Sequence, residues 1–226
     1  MQWNAHSLSL FKAEELAEYA KRKSIDIACI SELGPRRKIR GYQEYVISDT
    51  YTQSGIFWRN SLKAKSISMR CLDRKHDQTL TQCIMIEEEL LLVHVYINPA
   101  LQQGERSAFW RSLLNLLETK NVDKVIITGD LNTLDERFGD NHNQQYKYLD
   151  DVLNSYEIIS NPKVCSRENH TLDITLSTQP AKENMRSWKA VNRLSSDHLP
   201  TFLKYRMPNR VRSDTGSQDE TSYSGR

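Results

Sequence analysis

Between Lys124 and Asn132 an apolar β-branched run, Val125-Ile126-Ile127-Thr128, gives way to Gly129, then to Asp130 and, one leucine later, to Asn132. Such a run is a buried strand. Side chains alternate along a strand, so Asp130 and Asn132 leave its end on the same side. A buried strand that closes on two polar groups aimed one way requires other segments to meet it there.

Those segments can be read along the chain. LFKAEELAEYAKRKSID sets Leu10, Leu16, Tyr19 and Ala20 at helical spacing, with acids early and Lys21, Arg22 and Lys23 late, the polarity a helix dipole favours. This predicts a helix over 11–23. DIACIS then reads as a short buried strand that delivers Glu32 at its C-terminal end. YQEYVIS, SGIFWRN, LKAKSISMR, LTQCIMIEE and LLLVHVYI follow as a strand meander broken by the polar loop 71–79.

Helical periodicity returns in ERSAFWRSLLNLLETK, with Phe109, Leu113, Leu116 and Leu117 on one face, and a weaker helix is expected over 144–155. HTLDITLST, MRSWKAVN and LPTFLKYR read as closing strands. Strands, helix, strands, helix, strands argue for an α/β or α+β sandwich, two packed sheets with helices on their outer faces. Residues 1–206 form one domain in this reading. From Met207 to Arg226 almost no apolar residue remains, which predicts a disordered polar tail.

A chain of 226 residues can bury a substantial core without disulfides or a structural metal. The four cysteines, Cys29, Cys71, Cys83 and Cys165, form no C-x-x-C pair and read as reduced thiols. Lys and Arg number 31 against 29 Asp and Glu, a net charge of +2, so any nucleic-acid-binding surface must be local. PRRKIRG at 35–41 is the best candidate, with Arg36, Arg37, Lys38 and Arg40 directly after Glu32; CLDRKHDQ, carrying Arg74, Lys75 and His76, is a weaker one. No apolar run suits a membrane span or a secretory signal, so an intracellular protein, nuclear or cytoplasmic, is expected.

Polar groups close several other strands. Asn4 follows Gln2-Trp3, Asp173 interrupts HTLDITLS where an unpaired carboxylate would be costly to desolvate, and Asp197-His198 stands in SSDHLP. Any one of these has an ordinary explanation as a cap or turn residue. Their combination is more specific: Trp3-Asn4, Ser31-Glu32, Val95-Tyr96-Ile97, Gly129-Asp130-Leu131-Asn132, Leu172-Asp173 and Ser196-Asp197-His198, in that order.

In that set, over about residues 2–206, the chain resembles the endonuclease/exonuclease/phosphatase superfamily, and within it the apurinic-endonuclease-like domain of non-LTR retrotransposons. The resemblance implies a DNase I-like four-layer sandwich of two mixed β-sheets flanked by helices. It implies that Glu32, with Asn4 and Asp197, holds a divalent ion, Mg²⁺ with Mn²⁺ as a substitute, in a hard oxygen site. Asp130 would deprotonate the attacking water and Asn132 would hold that water or a phosphate oxygen in line. Asp173 would fix the tautomer of His198, which with Tyr96 would stabilise charge on the phosphate. Whether one metal or two act stays open.

The implied function is a DNA endonuclease that nicks duplex DNA to leave a 3′-hydroxyl, as in target-primed reverse transcription. A monomer is expected, with a reverse transcriptase domain as partner in a longer polyprotein. Alternatives are a repair apurinic endonuclease, another superfamily phosphoesterase, and a degenerate module that only binds nucleic acid or protein. Two departures from the pattern stand out. Met1 lies three positions before Asn4, which predicts a short first strand or a chain that is a fragment. His170 stands three residues before Asp173, where an exposed turn is the expected setting.

Overall fold

The computed structural model describes residues 1–34, 38–48, 52–69, 79–139, 145–160, 164, 166–192 and 194–207. Two six-stranded mixed sheets pack face to face. The first has the order β11 (Met185–Ala190), β12 (Thr201–Tyr205), β1 (Gln2–Asn4), β2 (Ile27–Ser31), β4 (Gln53–Arg59), β3 (Tyr42–Ser48). The second has the order β5 (Ala64–Ile67), β6 (Thr79–Ile86), β7 (Leu90–Ile97), β8 (Lys124–Asp130), β10 (Asp173–Ser177), β9 (Glu157–Ile158). The first strand is three residues long.

Side-chain alternation sorts the layers. On β2, Ala28 and Ile30 face α1 (Leu10–Arg22), whereas Cys29 faces the second sheet. On β7, Leu91, Val93, Val95 and Ile97 pack toward α2 (Gln103–Glu118) and α3 (Tyr148–Ser155), while Leu90 and Leu92 enter the layer between the sheets. Cys29, Ile56 and Trp58 from one sheet meet Ile84, Leu92 and Ile126 from the other. Burial of these side chains, at roughly 25 cal/mol per Å² of apolar surface, holds the four layers together.

The helix expected over 11–23 begins one residue early, because the Ser9 hydroxyl accepts from the Lys12 amide and caps it. Leu10 is a correction: it lies in the first turn, 61% exposed, and Leu8 takes the core position ahead of the helix. The helix expected over 144–155 starts only at Tyr148, because the carboxylate of Asp135 draws the Tyr146 amide to the 3₁₀ turn Glu136–Phe138. The short strand β9 and the short helix α4 (Gln179–Lys182) were not expected from periodicity. Cys29 and Cys83 are buried free thiols, pushed up to about 12 chiefly by burial. Cys71, Cys165, the candidate contacts Arg74, Lys75 and His76, and the expected tail beyond Met207 lie outside the described residues.

Candidate active site

Strand register gathers the polar groups at one edge of the sandwich. Tyr96 lies opposite Asp130 in the parallel β7–β8 pair, and Asp173 lies opposite Asp130 in the antiparallel β8–β10 pair. In the first sheet Asn4 lies opposite Ser31, so Glu32 follows directly. Gly129 permits this approach: a Cβ there would stand 1.8 Å from the Val95 carbonyl oxygen. Any larger residue would push β8 away from β7 and take Asp130 from Tyr96.

Asn4 joins the two sheets. Its amide nitrogen donates to Glu32 Oε1 at 2.9 Å and to Asp130 Oδ2 at 2.8 Å. The Tyr96 hydroxyl donates to Glu32 Oε1 at 3.1 Å. Glu32 and Asn132 both adopt left-handed backbone conformations, φ +51° and +43°. That is unfavourable for a glutamate and persists where surrounding contacts enforce it.

His198 is buried between two carboxylates. Its Nδ1 donates to Asp173 Oδ2 at 2.7 Å, and its Nε2 lies 4.0 Å from Asp130 Oδ2. Gln2 fixes Asp173 from the other side, its amide nitrogen donating to Oδ1 at 2.6 Å, while the Thr201 hydroxyl donates to Gln2 Oε1 at 3.1 Å. Ser166 accepts from the amides of Leu172 and Asp173, anchoring the start of β10.

Burial, followed by the charge of Asp173, raises Asp130 to about 7, against the opposing pull of His198 and the Asn4 and Asn132 hydrogen bonds. Burial would lower His198, but the Asp173 hydrogen bond and the charges of Asp173, Asp130 and Asp197 outweigh it and raise the imidazole to about 9. The arrangement favours the cationic form of the imidazole and raises the proton affinity of the Asp130 carboxylate beside it. That pairing suits proton transfer next to a developing negative charge.

A family model described as endonuclease-reverse transcriptase matches residues 90–202, half of the chain. The chain belongs to the endonuclease-reverse transcriptase family. No curated protein matches it. Among solved structures, the endonuclease domain of TRAS1, a telomere-specific non-LTR retrotransposon, is 18% identical with a TM-score of 0.72, over 91% of this chain and 96% of that one. TDP2 of D. rerio, complexed with a single-strand DNA product, is 16% identical with a TM-score of 0.66, over 91% and 97%. An AP endonuclease from Archaeoglobus fulgidus is 15% identical with a TM-score of 0.65, over 91% and 98%. These likenesses establish the DNase I-like fold of this family member.

Within this endonuclease-reverse transcriptase fold the remaining candidates divide. The Asn132 amide nitrogen donates to the Ile97 carbonyl at 2.9 Å, and its backbone N–H to Asp130 Oδ1 at 3.0 Å, so Asn132 is tied to the ends of both β7 and β8. Asp197 is exposed at the rim of the site, paired with Arg167 at 3.0 Å. Burial opposes its ionisation, but His198, Arg167 and His6 and a Ser196 hydrogen bond together hold it below the usual carboxylate range. His170 is half-buried in the turn after Arg167 rather than exposed. Lys38 and Arg40 are exposed, and Arg36 and Arg37 lie outside the described residues.

The donor chemistry fits a hard divalent ion. Glu32 Oε1 is held by Asn4 and Tyr96, while among the described residues Oε2 accepts no hydrogen bond and faces outward beside His6. Asp130, Asp173 and His198 also bring ligand-type atoms within 4.8 Å of one another. A 2.7 Å hydrogen bond joins two of them, so the same cluster also holds a proton.

Gln2, His6, Arg106 and Arg167 were missed from sequence. Arg106 alone left a signal there, since it falls on the helical stripe of Phe109, Trp110, Leu113 and Leu117. No helix among the described residues is long and apolar enough to cross a membrane.

Proposed function

We propose that the chain is a divalent-metal-dependent endonuclease that nicks one strand of duplex DNA and leaves a 3′-hydroxyl. The observation carrying this reading is the position of Asp130 Oδ2, which receives the Asn4 amide at 2.8 Å and faces the His198 imidazole at 4.0 Å. A base for water, a cationic donor for phosphate and a carboxylate for a metal thus share one edge of the sandwich.

In the proposed reaction Asp130 takes a proton from water, whose oxygen attacks phosphorus while the P–O3′ bond breaks and the departing O3′ takes a proton from solvent water to become the 3′-hydroxyl. Asn132, its amide nitrogen fixed on Ile97, keeps its carbonyl oxygen to orient that water. His198, oriented by Asp173, donates to the phosphoryl oxygen where charge accumulates. Tyr96 holds Glu32 in place and borders the same phosphate. Glu32, with Asn4 and Asp197, would hold Mg²⁺ or Mn²⁺, which when bound supplies Lewis-acid stabilisation of the phosphate. Arg36, Arg37, Lys38 and Arg40 would meet backbone phosphates beside the cut.

Membership of a family described as endonuclease-reverse transcriptase, and the fold shared with a retrotransposon endonuclease, support target-primed reverse transcription as the setting, with a reverse transcriptase domain as partner. The test is nicking of supercoiled plasmid in Mg²⁺, with EDTA as the control and polymerase extension of the nick to detect the 3′-hydroxyl. Asp130→Ala and His198→Ala should each lose about two to four orders of magnitude, typical for a positioned base or charge stabiliser. Undiminished nicking by either variant, or a nick that cannot be extended, would overturn the proposal.

A further inference from the structure

His6 lies in the loop that leaves β1, two residues after Asn4, and that loop is locked against Glu32. The amides of Ser7 and Leu8 donate to the carbonyls of Glu32 and Leu33, each at 2.8 Å. The His6 amide donates to the Asn4 side-chain oxygen at 2.9 Å, and Lys12 Nζ donates to the His6 carbonyl at 3.2 Å. His6 itself is left-handed, φ +44°. The imidazole is therefore carried on a fixed segment of backbone.

Its Nδ1 stands 3.6 Å from Glu32 Oε2, the oxygen opposite the one that Asn4 and Tyr96 hold. That separation is too long for a hydrogen bond. It is close to the spacing, roughly 3 to 3.5 Å, of two donors that share one ion at about 2.1 Å each. The His6 side chain is 65% exposed and that of Glu32 27%, so the space between them opens to solvent.

We infer that His6 is a nitrogen ligand of the divalent ion that Glu32 holds, making a mixed nitrogen–oxygen site that favours Mn²⁺ or Co²⁺ over Mg²⁺. Imidazole adds little for Mg²⁺, a hard ion that keeps its waters, and adds more for Mn²⁺ and the later transition metals. The inference rests on the metal-dependent reading above and deepens it by assigning a ligand and a metal preference.

The test is Mn²⁺ titration of the full chain followed by electron paramagnetic resonance, with Mg²⁺ competition for relative affinity and pulsed measurement of ¹⁴N coupling to the bound ion. Saturable Mn²⁺ with imidazole ¹⁴N coupling is expected in the wild type and in His198→Ala. The coupling should vanish in His6→Ala, and the preference for Mn²⁺ over Mg²⁺ should fall tenfold or more. His6→Asp should bind without the coupling.

Bound Mn²⁺ with no ¹⁴N coupling, or an unchanged preference in His6→Ala, overturns the assignment of His6 and leaves the nuclease proposal standing. Coupling lost in His198→Ala but kept in His6→Ala moves the ion to the Asp130–Asp173–His198 cluster and likewise overturns the assignment. Failure of the wild type to bind Mn²⁺ saturably overturns both, whereas binding unaffected by Glu32→Gln overturns the placing of the ion at Glu32 and His6 alone.

Discussion

Arg106 Nη1 donates to the Leu131 carbonyl at 3.0 Å, holding helix α2 to the loop that carries Asn132. The same guanidinium reaches Thr133 Oγ1 and the carbonyls of Leu101, Asn98 and Pro99, so its acceptors span the exits of β7 and β8. All five are neutral oxygens, and together they match the five donors of the guanidinium. Arg106→Met should cost about 2–4 kcal/mol, because it leaves buried carbonyls without donors. Arg106→Lys should keep the fold but lower kcat for nicking by about 10- to 100-fold, the effect of misplacing a reacting group by about an ångström. Urea denaturation and nicking at saturating DNA measure the two effects, and a Lys variant with wild-type kcat would show that the clamp does not position Asn132.

Asp173 and His198 should behave as one unit, given their 2.7 Å contact. Adding Asp173→Asn to His198→Ala should then slow nicking no further than His198→Ala alone. Single-turnover rates of the two single variants and the double variant decide this, and additive losses would give Asp173 a separate task.

Acid sensitivity should arise in the layer between the two sheets. His94 is buried between the sheets, its Nδ1 3.0 Å from Gln82 Oε1 and its Nε2 3.2 Å from Ser31 Oγ. Burial, then the charge of the N-terminal amine, lowers its pKa to about 3, whereas an unfolded histidine titrates near 6.5. The folded value lies below the unfolded one, so below about pH 6.5 the unfolded chain gains a proton that the folded chain refuses. Stability from this group is complete above that pH and is lost progressively as pH falls toward 3. His94→Gln should be less stable at neutral pH and should lose less on acidification. Urea midpoints at pH 7, 6 and 5 test this, and parallel slopes for the two proteins would reject it.

Intact and abasic duplexes separate target priming from repair. A target-priming nuclease selects undamaged sites through groove shape and the cost of deforming particular steps, so little gain from an abasic site is expected. Cleavage rates on two end-labelled duplexes, identical except for one abasic analogue, provide the comparison. An abasic preference of about a hundredfold, or about 2.7 kcal/mol of transition-state binding, would move the assignment to repair.

Salt dependence reports on the basic segment. If Lys38 and Arg40 each face a phosphate, replacing either with Ala should reduce the slope of log K against log salt by about 0.9. DNA-binding isotherms between low and moderate salt measure it. An unchanged slope in both variants would mark this as a solvated charge run.

Much of this site was legible from strand ends. Asp130 and Asn132 declared themselves by closing an apolar run, and Asp173 by placing a charge inside a strand segment. The partners were less visible. Gln2 reads as an ordinary strand residue until β1 lies against β12 and beside β10, where its amide meets Asp173. Arg167 and Asp197 are 30 positions apart and pair only because the isolated bridge between Arg167 and His198 brings their segments together. Leu10 misled because periodicity alone cannot tell which residue of a first turn faces inward, and Leu8 had already filled that place.

Asn4 donating to both Glu32 and Asp130 means that neither sheet alone forms the candidate active site. Cutting the chain between Met69 and Thr79 would leave Asn4 and Glu32 on one piece and Asp130, Asp173 and His198 on the other. Each piece alone would be inert, and cleavage would return only as the two reassociate. The proposed nicking would therefore serve as a complementation signal, a kinetic clock for the docking of the shorter N-terminal piece onto the longer C-terminal one.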